Sequence, residues 1–214
     1  MKLFRRTSVW MPTVWGFLLI FLLLGLLGSG LLRQLYPFLA QNRPLPQPEL
    51  VIIEGWLGDE ELAAVFNSFE SETRFVTTGG PVAFGHSLLK EKTYAEVTAA
   101  RLRLLGASPQ SILEVPAEDV ACDRTYASAL AVRRALEEQG LLGRPANLYT
   151  LGAHSRRSFF LYRRALGRDV PLGVVSLDSE EYDLRHWFRN SLAFRHVMSE
   201  WIAWLYIQCT FWKY

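Results

Sequence analysis

Cysteine is scarce in this chain: Cys122 and Cys209 are the only two in 214 residues. They match no metal-ligand spacing, so the expectation is two separate core thiols that behave as small hydrophobes. Pairing stays open if the domain lies outside the cytoplasm. Histidine is equally dispersed. His86, His154, His186 and His196 form no HxxxH or similar cluster, and no metal site is predicted. Neither sign of charge dominates, since the formal net charge is +2; a broad basic surface for nucleic acid is thereby disfavoured. Familiar catalytic signatures are missing too. There is no GxSxG nucleophile elbow, no Walker P-loop, and no GxGxxG after the first apolar strand. Ser155 beside His154 makes no dyad, because neighbouring side chains on a helix point apart. Standard dinucleotide and NTP chemistry is disfavoured.

Hydrophobic residues, by contrast, make up 50% of the chain, and the excess lies at the front. Lys2, Arg5 and Arg6 precede an uncharged run from Thr7 to Leu32. About 20 apolar residues suffice to cross a bilayer. A cleavable signal peptide has an apolar core of about 7–15 residues and an A-x-A-like site, and neither feature is present. Residues 1–36 are therefore read as a cytoplasmic stub followed by an uncleaved, single-pass signal anchor. The basic residues before the span place the rest of the chain on the outer face, with Arg33 and Arg43 opposing weakly. Residues 37–48, carrying Pro44, Pro46 and Pro48, read as an extended linker. An α/β domain is expected over 49–184, and an aromatic C-terminal helix over 185–214. That tail carries Trp201, Trp204, Tyr206, Phe211 and Trp212 and is too short to span. Two placements suit it: packed on the domain, or lying on the membrane surface.

Within the domain, apolar runs alternate with helical patterns. Leu50–Ile53 is a continuous apolar strand of the kind a central parallel position requires. Asp59 is expected to cap a helix bearing Leu62, Val65, Phe66 and Phe69. A second strand, Arg74–Thr77, ends in Thr78-Gly79-Gly80-Pro81, and the polar loop to Lys92 is long enough to form a flap. Thr93-x-x-Glu96 opens a helix as a capping box, and Gly106 ends it. Ile112–Val115 is the third strand, followed by a helix from about Asp123 to Glu138. Asn147–Leu151 is the fourth strand, turning at Gly152-Ala153 into a helix over His154–Leu166. On that helix Phe159, Tyr162, Ala165 and Leu166 share one face, and Arg156, Arg157, Arg163 and Arg164 the other. Leu172–Leu177 is the fifth strand. The pattern predicts a Rossmann-like open parallel sheet of about five strands, with helices on both faces and one transmembrane helix in front.

In such a sheet, ligands bind beyond the carboxyl ends of the strands. Collected there are Glu54, Gly55 and Trp56; Thr78, Gly79 and Gly80; Glu114 with the loop acids Glu118, Asp119 and Asp123; Arg124 and Thr125; and Gly152, His154, Arg156 and Arg157. Helix amides with the Arg156/Arg157 pair suit an anion. His154 suits an acid–base role, with Glu54 or Glu96 orienting it or a water. Competing local roles exist for some of these. Glu96 has a capping function, Asp123 reads also as an N-cap, and Gly79-Gly80 as a turn.

The order of these elements resembles the ElyC/SanA/YdcF family, long catalogued as a domain of unknown function. The resemblance covers roughly Leu50–Val175. Thr78-Gly79-Gly80 matches the family's Ser-Gly-Gly turn, Glu96 its helix-start acid, Glu114 and Thr125 its Glu and Thr, and His154 and Arg157 its His-x-x-Arg. Arg124 and Ser128 stand where the family usually has asparagines, and Glu54-Gly55-Trp56 replaces its glycine-rich first turn, so the chain resembles a divergent branch. What the resemblance implies is a bacterial inner-membrane protein of cell-wall or surface-polysaccharide biogenesis. Its ligand would carry phosphate or pyrophosphate, as a lipid-carrier or nucleotide-sugar fragment does. Two alternatives differ in kind: a non-enzymatic module for a nucleotide-type ligand such as S-adenosylmethionine, and a membrane scaffold acting through the aromatic tail. No cofactor is assigned.

Overall fold

The computed structural model describes residues 10–69, 73–82, 90–178 and 184–210. Most of the expected flap before Lys92 lies outside these residues, as do Phe211 and Trp212. The chain divides into two compact units, Met1–Leu35 and Tyr36–Tyr214.

The first unit holds most of α1 (Val14–Leu39), a 26-residue helix long and apolar enough to cross a membrane. The helix passes through Pro37 and ends at Leu39, beyond the expected boundary at residue 36. Proline removes one helix hydrogen bond, and burial of Tyr36 and Leu39 in the second unit compensates.

In the second unit, β1 (Leu50–Glu54), β2 (Arg74–Gly79), β3 (Ile112–Pro116), β4 (Ala146–Leu151) and β5 (Leu172–Leu177) form one sheet in the order β3-β2-β1-β4-β5. Every pairing is parallel. The chain is thus an α/β protein of Rossmann-like type. Alternate residues of β1 serve opposite faces, as a period of two requires. Leu50 and Ile52 join Ala129 and Val132 of α4 (Arg124–Glu138) and Tyr162, Ala165 and Leu166 of α5 (Ser155–Leu166). Val51 and Ile53 join Leu62 and Val65 of α2 (Asp59–Asn67) and Leu102 of α3 (Tyr94–Leu105). Helices cover both faces, and strand order reverses between β1 and β4.

Several local expectations change. The N-cap of α2 is Gly58, not Asp59; Asp59 is the first helical residue and pairs with Arg101 instead. The presumed linker is extended but docked. Arg43 and Val174 exchange backbone hydrogen bonds of 2.8 and 3.0 Å, and the Asn147 side chain both donates to and accepts from the backbone of Leu45. Proline specifies the extended shape, while a buried asparagine supplies the attachment. Both cysteines are free and exposed, which overturns the core-thiol expectation: Cys122 sits in a polar loop, and Cys209 on the outer side of α6 (Ser191–Thr210). That last helix packs on the domain through Ala193, Val197, Glu200 and Ile207.

Candidate functional site

Two strand ends define the site's floor. Register places Glu54 beside Thr78 of β2, and the Ile53–Tyr149 pairing puts Thr150 on its other side. All three side chains share the face covered by α4 and α5. Glu54 is completely buried, and Ser158 of α5 donates to its carboxylate, 2.9 and 3.0 Å from the two oxygens. Burial raises its pKa, only partly countered by His154 and nearby hydroxyls. The hydroxyls of Thr78, Thr150 and Tyr162 are buried around it, and that of Thr150 helps to hold its charge.

After β4 the chain turns through Gly152–His154 into α5. This turn delivers His154 to the space between β1 and α6. Its Nδ1 lies 2.9 Å from Glu200 Oε1 and 2.9 Å from Arg157 Nη2. Its Nε2 is buried, without a hydrogen-bond partner, 3.6 Å from Glu54 Oε2. Trp56 packs edge-on against the ring, 5.2 Å between centroids. Arg157, one turn along α5, forks onto Glu200 through Nε (2.7 Å) and Nη2 (3.0 Å), and Nη1 donates to Thr125 at 3.3 Å. Burial works against the charges on Glu200 and Arg157. His154 and then Arg157 hold the Glu200 carboxyl far below its ordinary range, and Glu200 in turn raises the Arg157 guanidinium above its own.

The two ring nitrogens therefore face a carboxylate each. Arg157 can only donate and an ionised Glu200 can only accept, so Nδ1 satisfies one of them at a time. A bare Nδ1 puts the proton on Nε2, facing Glu54; a protonated Nδ1 gives it to Glu200. Neither nitrogen is presented freely to solvent.

In front of this cluster lies a cavity of about 820 Å³. His154, Arg157, Arg124, Thr125 and Gly80 line it, together with Trp56, Tyr94, Asp119, Asp123 and Tyr206. The amino end of α4 opens onto it. Asp123, the N-cap, has a left-handed φ of 56° and makes no side-chain capping bond, so its carboxylate does not satisfy the first amides of α4. Strain in a non-glycine residue is often held at binding sites.

The other candidates are placed elsewhere. Glu96 completes a capping box, accepting from Lys92 N at 2.6 Å and Thr93 N at 2.9 Å. Those amide bonds lower its pKa and commit it to the helix end. Glu114 stands in mid-strand, opposite Thr77, and pairs with Arg103. Gly55 and Gly79 serve close approach: a Cβ on either would come within 2.7 Å of Tyr94. Gly152 is buried in the turn, its carbonyl accepting from Ser176. Thr78 is buried beside Glu54 rather than facing the cavity. Arg156 is separated from Arg157 by one helical step and turns to the Phe38 carbonyl, its guanidinium 3.9 Å from the Phe38 ring centroid. The Arg156/Arg157 pair is thus split, and the amino end of α4 lines the cavity through Asp123, Arg124 and Thr125.

Glu200 is the member that sequence reasoning missed. The signal was available: it is the sole charged residue from Val197 to Thr210, on the stripe that also carries Ala193, Val197 and Ile207.

Fold and site together define an α/β domain with a cavity at the switch point of a parallel sheet, joined to a helix able to cross a membrane. No family model matches the chain, and no curated protein matches it.

Proposed function

We propose that this is a bacterial inner-membrane protein of ElyC/SanA/YdcF type, its domain extracytoplasmic, which acts in envelope biogenesis by binding a phosphate-containing precursor. The observation that carries the reading is the amino end of α4 opening on the cavity. Arg124 stands at its first position, the Thr125 hydroxyl at its second, and Arg157 beyond. A helix amino end attracts anions through free amides and the macrodipole, and arginine adds charge-assisted donors. The resemblance over Leu50–Val175 supports the cellular role, and Lys2, Arg5 and Arg6 support the orientation. Binding is favoured over processing, because His154 Nδ1 is engaged by Glu200 and Arg157 while its Nε2 is buried towards Glu54.

The test uses full-length protein in detergent, titrated calorimetrically with inorganic pyrophosphate, a nucleotide sugar and an isoprenyl phosphate. At least one is expected to bind, with about tenfold loss in Arg124→Ala, the effect of removing roughly one charge-assisted hydrogen bond. No binding by any of the three would sink the reading. A reporter fused after Tyr214 and active only in the cytosol would overturn the orientation.

A second reading has its own support. Glu118, Asp119 and Asp123 line the cavity alongside Trp56, Tyr94 and Tyr206. Carboxylates suit ribose hydroxyls or a cationic centre, and aromatic faces suit a base. S-adenosylmethionine binding that survives Arg124→Ala and fails in Asp119→Asn would favour this nucleotide-type ligand.

A further inference from the structure

The outward face of α6 has no protein partner among the described residues, although its residues are mostly apolar. The inward stripe is Ala193, Val197, Glu200, Trp204 and Ile207. Half a turn away lie Met198, Ile202, Leu205 and Cys209, spaced i, i+4, i+7, i+11, with Tyr206 on the flank. Ile202 is 63% exposed, Leu205 45% and Tyr206 54%. From Trp201 to Thr210 this helix carries no charge. A contiguous apolar stripe of this kind marks an interaction surface rather than ordinary scatter.

What covers it follows from where the helix is attached. Phe38 packs edge-on against Trp201 and Trp204, with ring centroids 5.9 and 6.2 Å apart. Phe38 is only six residues beyond Leu32, the end of the uncharged run. An extended chain covers at most about 3.6 Å per residue, so the Phe38 backbone lies within about 22 Å of the residue that ends the apolar span, whatever the path between. The headgroup layer is itself several ångströms deep. Tryptophan and tyrosine concentrate in that layer, and arginine suits its phosphates. Arg156, stacked on Phe38 and 5.7 Å from the Trp204 centroid, supplies the cation in this cluster. A second copy of the chain has no comparable link to the stripe.

We infer that α6 lies in the membrane interface, its Met198–Ile202–Leu205–Cys209 stripe turned into the boundary between headgroups and acyl chains. It acts as a second attachment beside α1. Amphipathic helices of this sort bury their apolar face about 5–10 Å into that boundary. Because Tyr206 and Ile207 of the same helix also wall the cavity, the cavity is held at the level of the headgroups. The inference does not depend on what the cavity binds.

The experiment places a bimane fluorophore in full-length protein reconstituted into phosphatidylethanolamine–phosphatidylglycerol vesicles. Native Cys209 is labelled in Cys122→Ser, leaving the stripe unaltered. Leu205→Cys is labelled in the variant lacking both native thiols. Leu104→Cys, on α3 and 88% exposed, is the control on an unrelated surface. Acyl-chain nitroxide lipids are expected to quench positions 209 and 205 several-fold more than position 104, while aqueous iodide does the reverse. Equal lipid quenching at all three positions would overturn the inference. So would protection of 205 and 209 from both quenchers with Cys209–Cys209 crosslinking, which would assign the stripe to a second copy.

Discussion

Glu54 and Glu200 flank the same imidazole, are both buried, and have their pKa values shifted in opposite directions. Glu54 ends the central strand and meets a serine hydroxyl and the His154 Nε2 side. Glu200 comes from the last helix and meets His154 Nδ1 and the Arg157 fork. Desolvation opposes ionisation of both. It prevails at Glu54, whereas His154 and then Arg157 outweigh it at Glu200. The imidazole and guanidinium on Glu200 thus outweigh burial where a serine hydroxyl and the far side of the same ring on Glu54 do not, and His154 sits between the two carboxyls.

The severest way to break this asymmetry is to remove the arginine. Arg157→Met strips the guanidinium fork from buried Glu200, and loss of one member of a buried pair costs about 3–5 kcal/mol. Urea denaturation is expected to show that loss. Arg157→Met with Glu200→Met together should recover most of it, since an apolar pair removes both desolvation penalties. A double variant no more stable than the single one would mean that Glu200 is not held by Arg157.

The pH profile sharpens the same comparison. Glu54 has a folded-state pKa above its unfolded value, so the folded protein keeps a proton that the unfolded chain releases. Its contribution is complete below about 4.5 and is lost as pH rises through the folded value. Glu200 has the opposite sign: its contribution is present above about 4.5 and is lost as pH falls through the depressed value. Stability from the pair therefore peaks near the unfolded carboxyl value and falls as pH rises through the raised value of Glu54. Glu54→Gln is expected to flatten the alkaline side and Glu200→Gln the acid side, read as denaturation midpoints against pH. If Glu54→Gln instead steepens the alkaline fall, Glu54 is ionised in the folded protein.

These contrasts also show which contacts a sequence can carry. Strands appear as apolar runs because every residue of a central parallel strand is buried, as in β1. Local devices are equally visible: the Thr93–Glu96 box and the turn after β4 each need only neighbouring residues. The site was half legible. His154, Arg157, Arg124 and Thr125 follow strand ends or open helices, where parallel topology fixes their place. Arg156 misleads because one helical step of about 100° sends it to Phe38 instead. Glu200 reaches Arg157 across 43 positions, a pairing set by how α6 packs, which periodicity within α6 hints at but cannot direct. Proline spacing likewise gives the extended shape beyond Leu39, and only the distant Asn147 reveals that this stretch is docked.

The finest test concerns Glu96, a third carboxylate with a lowered pKa, for an unrelated reason. Backbone amides of Lys92 and Thr93 hold its charge at the surface, with no arginine and little burial. Thr93→Ala removes the other half of the box and is expected to cost about 1 kcal/mol. Glu96→Gln should cost less, because an amide oxygen still accepts from both backbone groups. Neither substitution should change affinity for a cavity ligand, since the box faces the helix end and Glu96 is not among the residues lining the cavity. Loss of binding in Glu96→Gln, with the melting temperature unchanged, would move Glu96 back into the site. It would also show that amide-held charge, as well as the arginine-held charge of Glu200, is felt by the ligand.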